Sequence, residues 1–156
     1  MKLNWNKNRD RKTPEPQRKK LIQDVLEQIQ NHILDITLRH DASRIIQCII
    51  QYGNDIQREF VLKQVMSKFF DISKAPYGHF TVLKAIAYCN DSNTMKKISQ
   101  ALKGHFVSLG SHIIGARVVE SILQFYPILY TKHLKAEFYG KVRLSLSLSF
   151  PLFDMI

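Results

Sequence analysis

Cysteine, proline and glycine are scarce in this chain of 156 residues, at two, five and six copies. Cys48 and Cys89 both sit inside apolar runs, with no Cys-x-x-Cys pair and no histidine at ligand spacing. A disulfide framework and a structural zinc site are therefore not expected, and a reducing compartment is the default. So few Gly and Pro exclude a loop-rich or fibrous chain. Long apolar runs are missing as well: no stretch approaches the ~20 apolar residues of a membrane span, so no membrane partner is expected. Residues 1–20 are basic and polar with no apolar core behind them, unlike a signal peptide. Acidic residues are outnumbered, 13 Asp plus Glu against 23 Lys plus Arg, for a net charge of +10. What is present is 45% hydrophobic and 23% charged residues, the composition of a folded soluble intracellular protein whose length suits one domain or a few stacked repeats. Its charge predicts a polyanionic partner.

That charge is uneven. Residues 1–20 hold eight basic residues (Lys2, Lys7, Arg9, Arg11, Lys12, Arg18, Lys19, Lys20) against Asp10 and Glu15, which is six of the ten net charges. Pro14 and Pro16 predict that no helix starts before about Gln17, so 1–20 reads as a basic flexible arm. Such an arm serves as a nuclear import signal, a phosphate-binding tail or a solubilising leader. For import, the relevant pair of clusters is Arg9, Arg11, Lys12 and Arg18, Lys19, Lys20.

From Leu21 the pattern is helical. Ile22, Val25, Ile29, Ile33 and Ile36 recur at steps of three or four and share one face. Ile45, Ile46, Ile49 and Ile50 do the same, and stop at Tyr52-Gly53-Asn54, a helix-ending glycine. Asp55 is expected to cap the next helix. Pro76 and Asn90-Asp91-Ser92 punctuate later ones, and strand-like alternation begins only at Leu144.

Internal self-similarity organises these helices. HILDIT at 32–37, KFFDIS at 68–73 and HFVSLG at 105–110 align at offsets of 36 and 37. Behind them, HDASRIIQCIIQYGN from His40, YGHFTVLKAIAYCN from Tyr77 and HIIGARVVESILQFY from His112 bring Ser43, His79 and Ala116 into register at the same offsets. Met66, Leu102 and Phe138 mark a third helix in each unit. Three units of one short and two longer helices describe an all-α solenoid, in which no unit buries its apolar face alone.

Repeat length and second-helix pattern resemble Puf (pumilio-homology) repeats. HDASRIIQCIIQYGNDIQREFV is similar to the first repeats of the nucleolar pumilio-like proteins of the Puf-A or penguin type, and DISKAPYGHFTVLK, LKGHFVSLGSH and LKAEFYGK resemble the segments that follow there. The likeness covers residues 21–141. It implies a right-handed, armadillo-like α-solenoid of about three Puf-like repeats. Residues 142–156 depart from it: RLSLSLSFPLFDMI alternates with a period of two and reads as an atypical tail, or a truncated or misread repeat.

In Puf repeats the second helices line a concave face, where two side chains of each meet a base edge and a third stacks. The resemblance therefore implies edge pairs Ser43 and Gln47, His79 and Leu83, and Ala116 and Glu120, with Arg44, Phe80 and Arg117 as stackers and Lys84 also on the concave RNA-binding face. Edge residues four apart share one helix face. Gln offers an amide to a base edge, and Glu accepts from guanine. Polar residues opposite an apolar stripe are also ordinary helix surface, and Phe80 reads as core before platform. His79 with Leu83 makes no usual edge contact, and Ala116 lacks the hydroxyl of a guanine-type pair. Two of the three units thus lack a working code, which predicts recognition of shape and backbone rather than sequence.

No Ser-His-Asp order, Gly-rich phosphate loop or HExxH occurs, and the six histidines never fall at i, i+3 or i, i+4. No enzyme, metal or cofactor is expected. Asp35 and Asp71, in register on the short helices, read as caps or solvated charges. The resemblance implies RNA-binding, with DNA as a further ligand, in the nucleus and nucleolus, on pre-ribosomal particles in ribosomal RNA processing, and in regulation of translation. The other reading of a basic helical-repeat scaffold is a peptide-gripping armadillo or HEAT module.

Overall fold

A computed structural model describes residues 14–146, the last six of them by backbone alone. The described residues form ten helices and no strand. Helix α1 (Glu15–Ile29) precedes three units: α2 (Ile33–Leu38), α3 (Ser43–Tyr52) and α4 (Asp55–Met66); α5 (Phe69–Lys74), α6 (Gly78–Tyr88) and α7 (Ser92–Leu102); α8 (Phe106–Gly110), α9 (Gly115–Phe125) and α10 (Ile128–Leu146). Each unit has the short-long-long order that the offsets predict. The chain is an α-solenoid.

The middle helices α3, α6 and α9 stack side by side in that order. They run parallel, because the His40 and Tyr77 rings meet at their N-terminal ends at 4.8 Å while Lys84 Nζ donates to Gln51 Oε1 further along at 2.8 Å. One apolar core runs through all three units from Ile22 to Leu134. Full burial of one such Ile or Leu stabilises the fold by roughly 1.5–3 kcal/mol.

Each short helix turns the chain back onto its middle helix. The buried hydroxyls of Thr37 and Ser73, one repeat apart, donate to the carbonyls of Ile33 and Phe69 at 2.7 Å, which satisfies them inside the core. The following turn is tight. At Gly115 a Cβ would lie 2.7 Å from the Leu109 carbonyl oxygen, and at Gly78 one would lie 3.0 Å from that of Ile72, so both positions want a residue without a side chain.

Three expectations change. Helix α1 starts at Glu15 rather than after Gln17, because Pro16 sits in the first turn, where a missing N–H costs no hydrogen bond. Arg18, Lys19 and Lys20 are thus helical and not part of a flexible arm, while Arg9, Arg11 and Lys12 lie outside the described residues. Asn54, not Asp55, caps α4: its side chain accepts from Gln57 N at 2.9 Å and Gln57 Oε1 accepts from Asn54 N at 3.0 Å. Gln57 Nε2 also donates to Gln23 Oε1 at 3.0 Å, fastening α1 to α4. Finally, α10 stays helical through Leu146, across the start of the alternating segment. A period of two over a few residues does not outweigh a helix already running, and the rest of that segment lies outside the described residues.

Candidate nucleic-acid interface

In the first two units the edge positions face the following unit rather than open space. Ser43 is 2% exposed and its Oγ accepts from Gln47 Nε2 at 3.4 Å; Gln47 is half-buried. His79 is 4% exposed: its Nδ1–H donates to the Ala75 carbonyl at 2.9 Å, and Nε2 is buried with no partner. Leu83 is half-buried. In the last unit Ala116 is half-buried and Glu120 exposed. The cause is geometric. First edge residue, second edge residue and a residue three further on form one helix face, and the third members, Ile50 and Ile86, are at 0% exposure while Leu123 is at 39%. In the first two units this face is the joint with the following middle helix. The side chains of Ser43 and His79 are thus enclosed in the packing.

The stacker positions, turned by one residue from that face, remain open. Arg44 and Arg117 are exposed, and Phe80 is 42% exposed. Phe80 therefore lies outside the core, and its ring lies against that of His79, with centroids 3.9 Å apart. Arg44, Phe80 and Arg117 form a register row of two guanidinium groups flanking an aromatic ring, one per unit. Lys84 is engaged elsewhere: besides its bond to Gln51, its Nζ lies 5.1 Å from the Tyr88 ring centroid. In α1, Arg18 is half-buried with its guanidinium 4.5 Å over the Tyr52 ring, Lys19 pairs with Glu15 at 2.7 Å, and Lys20 is exposed.

The two ends of the parallel middle helices differ in charge. At the N-terminal end, no side chain caps α3 or α6, and in α9 the capping atom is His112 Nδ1, which accepts from Ile114 N and Gly115 N at 3.2 Å. Positive helix-dipole ends, with Arg44 and Arg117 in the first turn, make this an edge that favours anions. At the other end stand the helix carbonyls, two of which accept from the Arg58 guanidinium, with Asp55, Glu59 and Asp91 around it. A second register row lies there, Tyr52, Tyr88 and Phe125, whose offsets of 36 and 37 were the available signal in the sequence. Among the described residues no group of three His, Cys, Asp or Glu is arranged to hold a metal ion, and no helix is long and apolar enough to cross a membrane. Cys48 is half-buried and Cys89 buried, neither in a disulfide.

No protein-family model matches the chain. It is similar to pumilio homolog 3 of rat and of human, 31% identical to each over 137 residues, which is 87% of this chain and 21% of either relative. The chain thus spans about a fifth of the length of these relatives. Among solved structures it is similar to human Puf-A in complex with DNA, with a TM-score of 0.82 and 29% identity over 90% of this chain and 28% of that one. PUF-8 in complex with an RNA shares the fold, with a TM-score of 0.67 and 19% identity over 78% of this chain and 35% of the other. Repeat register, helical architecture and these likenesses agree: the chain belongs to the Puf-repeat family, alongside pumilio homolog 3, or Puf-A.

Proposed function

We propose that this chain binds nucleic acid, RNA foremost, as a non-catalytic Puf-like scaffold that reads backbone and base faces rather than sequence. The observation that carries this is the open row Arg44, Phe80, Arg117 beside the enclosed Ser43 and His79. Every base has a face for an aromatic ring or a guanidinium plane, and such stacking contributes about 1–3 kcal/mol per base without selecting among bases. Arg also bonds phosphate, which anchors a strand without reading it. The DNA and RNA complexes of Puf structures support the ligand class. Three units would meet only about three bases, too few to select one site among many competitors.

The test is a panel of short single-stranded and hairpin RNAs. Neutralising Z phosphates on a single strand gives a log–log salt slope near −0.7Z. Replacing Arg44 and Arg117 by Ala should weaken every RNA alike and flatten that slope; replacing Phe80 by Ala should weaken single strands more than hairpins. Binding that ignores salt, or a base preference abolished by Ser43→Ala with Gln47→Ala alone, would refute the reading. The family also suggests a nucleolar place and a part in ribosome biogenesis and translational control. A tagged chain that keeps its nuclear position after Arg9, Arg11, Lys12, Arg18, Lys19 and Lys20 all become Ala would remove the import role of these clusters.

A further inference from the structure

The two joints of the stack show what a middle helix receives on the side of the following unit. In the first joint α3 receives α6. The His40 ring meets that of Tyr77 at 4.8 Å, and further along Lys84 Nζ donates to Gln51 Oε1 at 2.8 Å. Tyr77 and Lys84 share one face of α6, with Thr81 between them. In the second joint α6 receives α9. There the counterparts of Gln47 and Gln51 are Leu83 and Ala87, and the counterparts of Tyr77 and Lys84 are Ile114 and Ser121. The two sides change together. Where the receiving face bears amides the arriving helix brings a cation, and where it is apolar the arriving helix brings none.

Helix α9 receives no helix among the described residues, and its face stands open in the same register. Ile113, the counterpart of His40, is 89% exposed. Glu120 and Gln124, the counterparts of Gln47 and Gln51, are exposed, and Leu123 is open at the place of the sealed Ile50. Neither Glu120 nor Gln124 has a hydrogen bond or ion pair among the described residues. The face is thus polar in the manner of α3, with a carboxylate in place of one amide. A carboxylate at a joint partly shielded from water adds ionic attraction to the hydrogen bond that a cation makes.

A second copy of the chain offers no helix of the required kind. Its α6 is enclosed between α3 and α9, and α1 packs on its α3.

We infer that the open face of α9 is a docking site for an amphipathic helix of a partner protein, running parallel to α9 and bearing a lysine or arginine where α6 bears Lys84. A large apolar side chain at the place of Tyr77 lies on Ile113. The stem of the basic residue lies along Leu123, and its cation is held by Glu120 and Gln124. The Arg44–Phe80–Arg117 row is turned away from this face, so the inference stands or falls independently of nucleic-acid binding.

The test uses the full chain and a fluorescein-labelled peptide with the sequence of residues 77–88, YGHFTVLKAIAY, read by anisotropy. Its control carries Ser in place of Lys84, as α9 carries Ser121. The parent chain should bind the lysine peptide about tenfold more tightly than the control. Glu120→Lys should remove that preference with thermal unfolding unchanged, because the side chain is exposed. A third peptide, with Glu in place of Lys84, should recover binding to this variant. Equal binding of the lysine and serine peptides by the parent, or no recovery after the charge swap, overturns the inference. Sedimentation tests a second copy as the occupant. A dimer that Glu120→Lys dissociates would assign the face to that copy and overturn the partner reading, whereas sedimentation unchanged by Glu120→Lys supports it. Phe150→Ser with Leu152→Ser and Phe153→Ser in the full chain tests the remaining rival. A several-fold gain in peptide affinity would assign the face to the chain's own last residues and overturn the partner reading, whereas unchanged affinity supports it.

Discussion

The joint between the first and second units and the outer face of the third are built from equivalent positions and behave differently. Ile50 and Ile86 are sealed, and Leu123 lies partly open at the same place. Ser43 and His79 are enclosed, and Ala116 is not. In a solenoid, the burial of a residue is therefore a property of its neighbour as much as of itself. A residue type carried from one repeat to the next keeps its place on the helix but not its access to a ligand.

This contrast can be broken by mutation. Ile50→Ala or Ile86→Ala removes a fully packed side chain from a joint and should cost about 2–5 kcal/mol; Leu123→Ala should cost about 1 kcal/mol, in proportion to its smaller burial. Urea unfolding of the three variants measures both, and equal losses would mean that the outer face is covered in solution. Gly115→Ala sharpens the comparison inside the last unit. The new methyl meets the Leu109 carbonyl, so a loss of about 1–3 kcal/mol is expected. The first unit already carries Ala42 at this place, and Ala42→Gly should cost less than about 1 kcal/mol. Asn54→Ala removes half of a capping box and a support of the Gln57–Gln23 contact, for about 1 kcal/mol.

The smallest effects concern titration at the first joint. Partial burial pushes the Asp91 carboxyl up, but the hydrogen bonds from Thr94 outweigh it and hold the pKa below 3.8. Its contribution to stability is thus complete above pH 3.8 and fades as pH falls through the lower folded value. The stability difference between the parent and Asp91→Ala should shrink over that window. Burial pushes the Cys89 thiol from 9.0 up to about 11. The native thiol stays protonated at neutral pH, and stability declines as pH rises from 9.0 towards 11 as the unfolded thiolate is favoured. Iodoacetamide at neutral pH should leave Cys89 intact until urea opens the joint, followed by mass spectrometry.

Much of this architecture is legible in the sequence, for a physical reason. Stacked units must repeat their apolar positions, so three helices per unit stay in register and each helix is found in its place. The exposure of Arg44 and Arg117 is legible for the same reason, since a side chain turned away from both neighbours stays open. The enclosure of Ser43 and His79 is not legible, because it depends on how closely the next middle helix approaches. The Asn54 cap is missed by one residue because Asn and Asp both suit that role and only the Gln57 reply decides between them.

Parallel stacking of the middle helices has a kinetic consequence. Three aligned backbone dipoles, with Arg44 and Arg117 at one end and Asp55, Glu59 and Asp91 around Arg58 at the other, give the described residues a direction as well as a charge. If nucleic acid docks on the Arg44–Arg117 edge as proposed, these dipoles add a torque that turns that edge toward an approaching polyanion before contact. Productive encounters then form a larger fraction of collisions than for a sphere of the same net charge. Added salt shortens the reach of that torque to the Debye length, about 8 Å at physiological ionic strength, and so slows arrival more than it hastens departure.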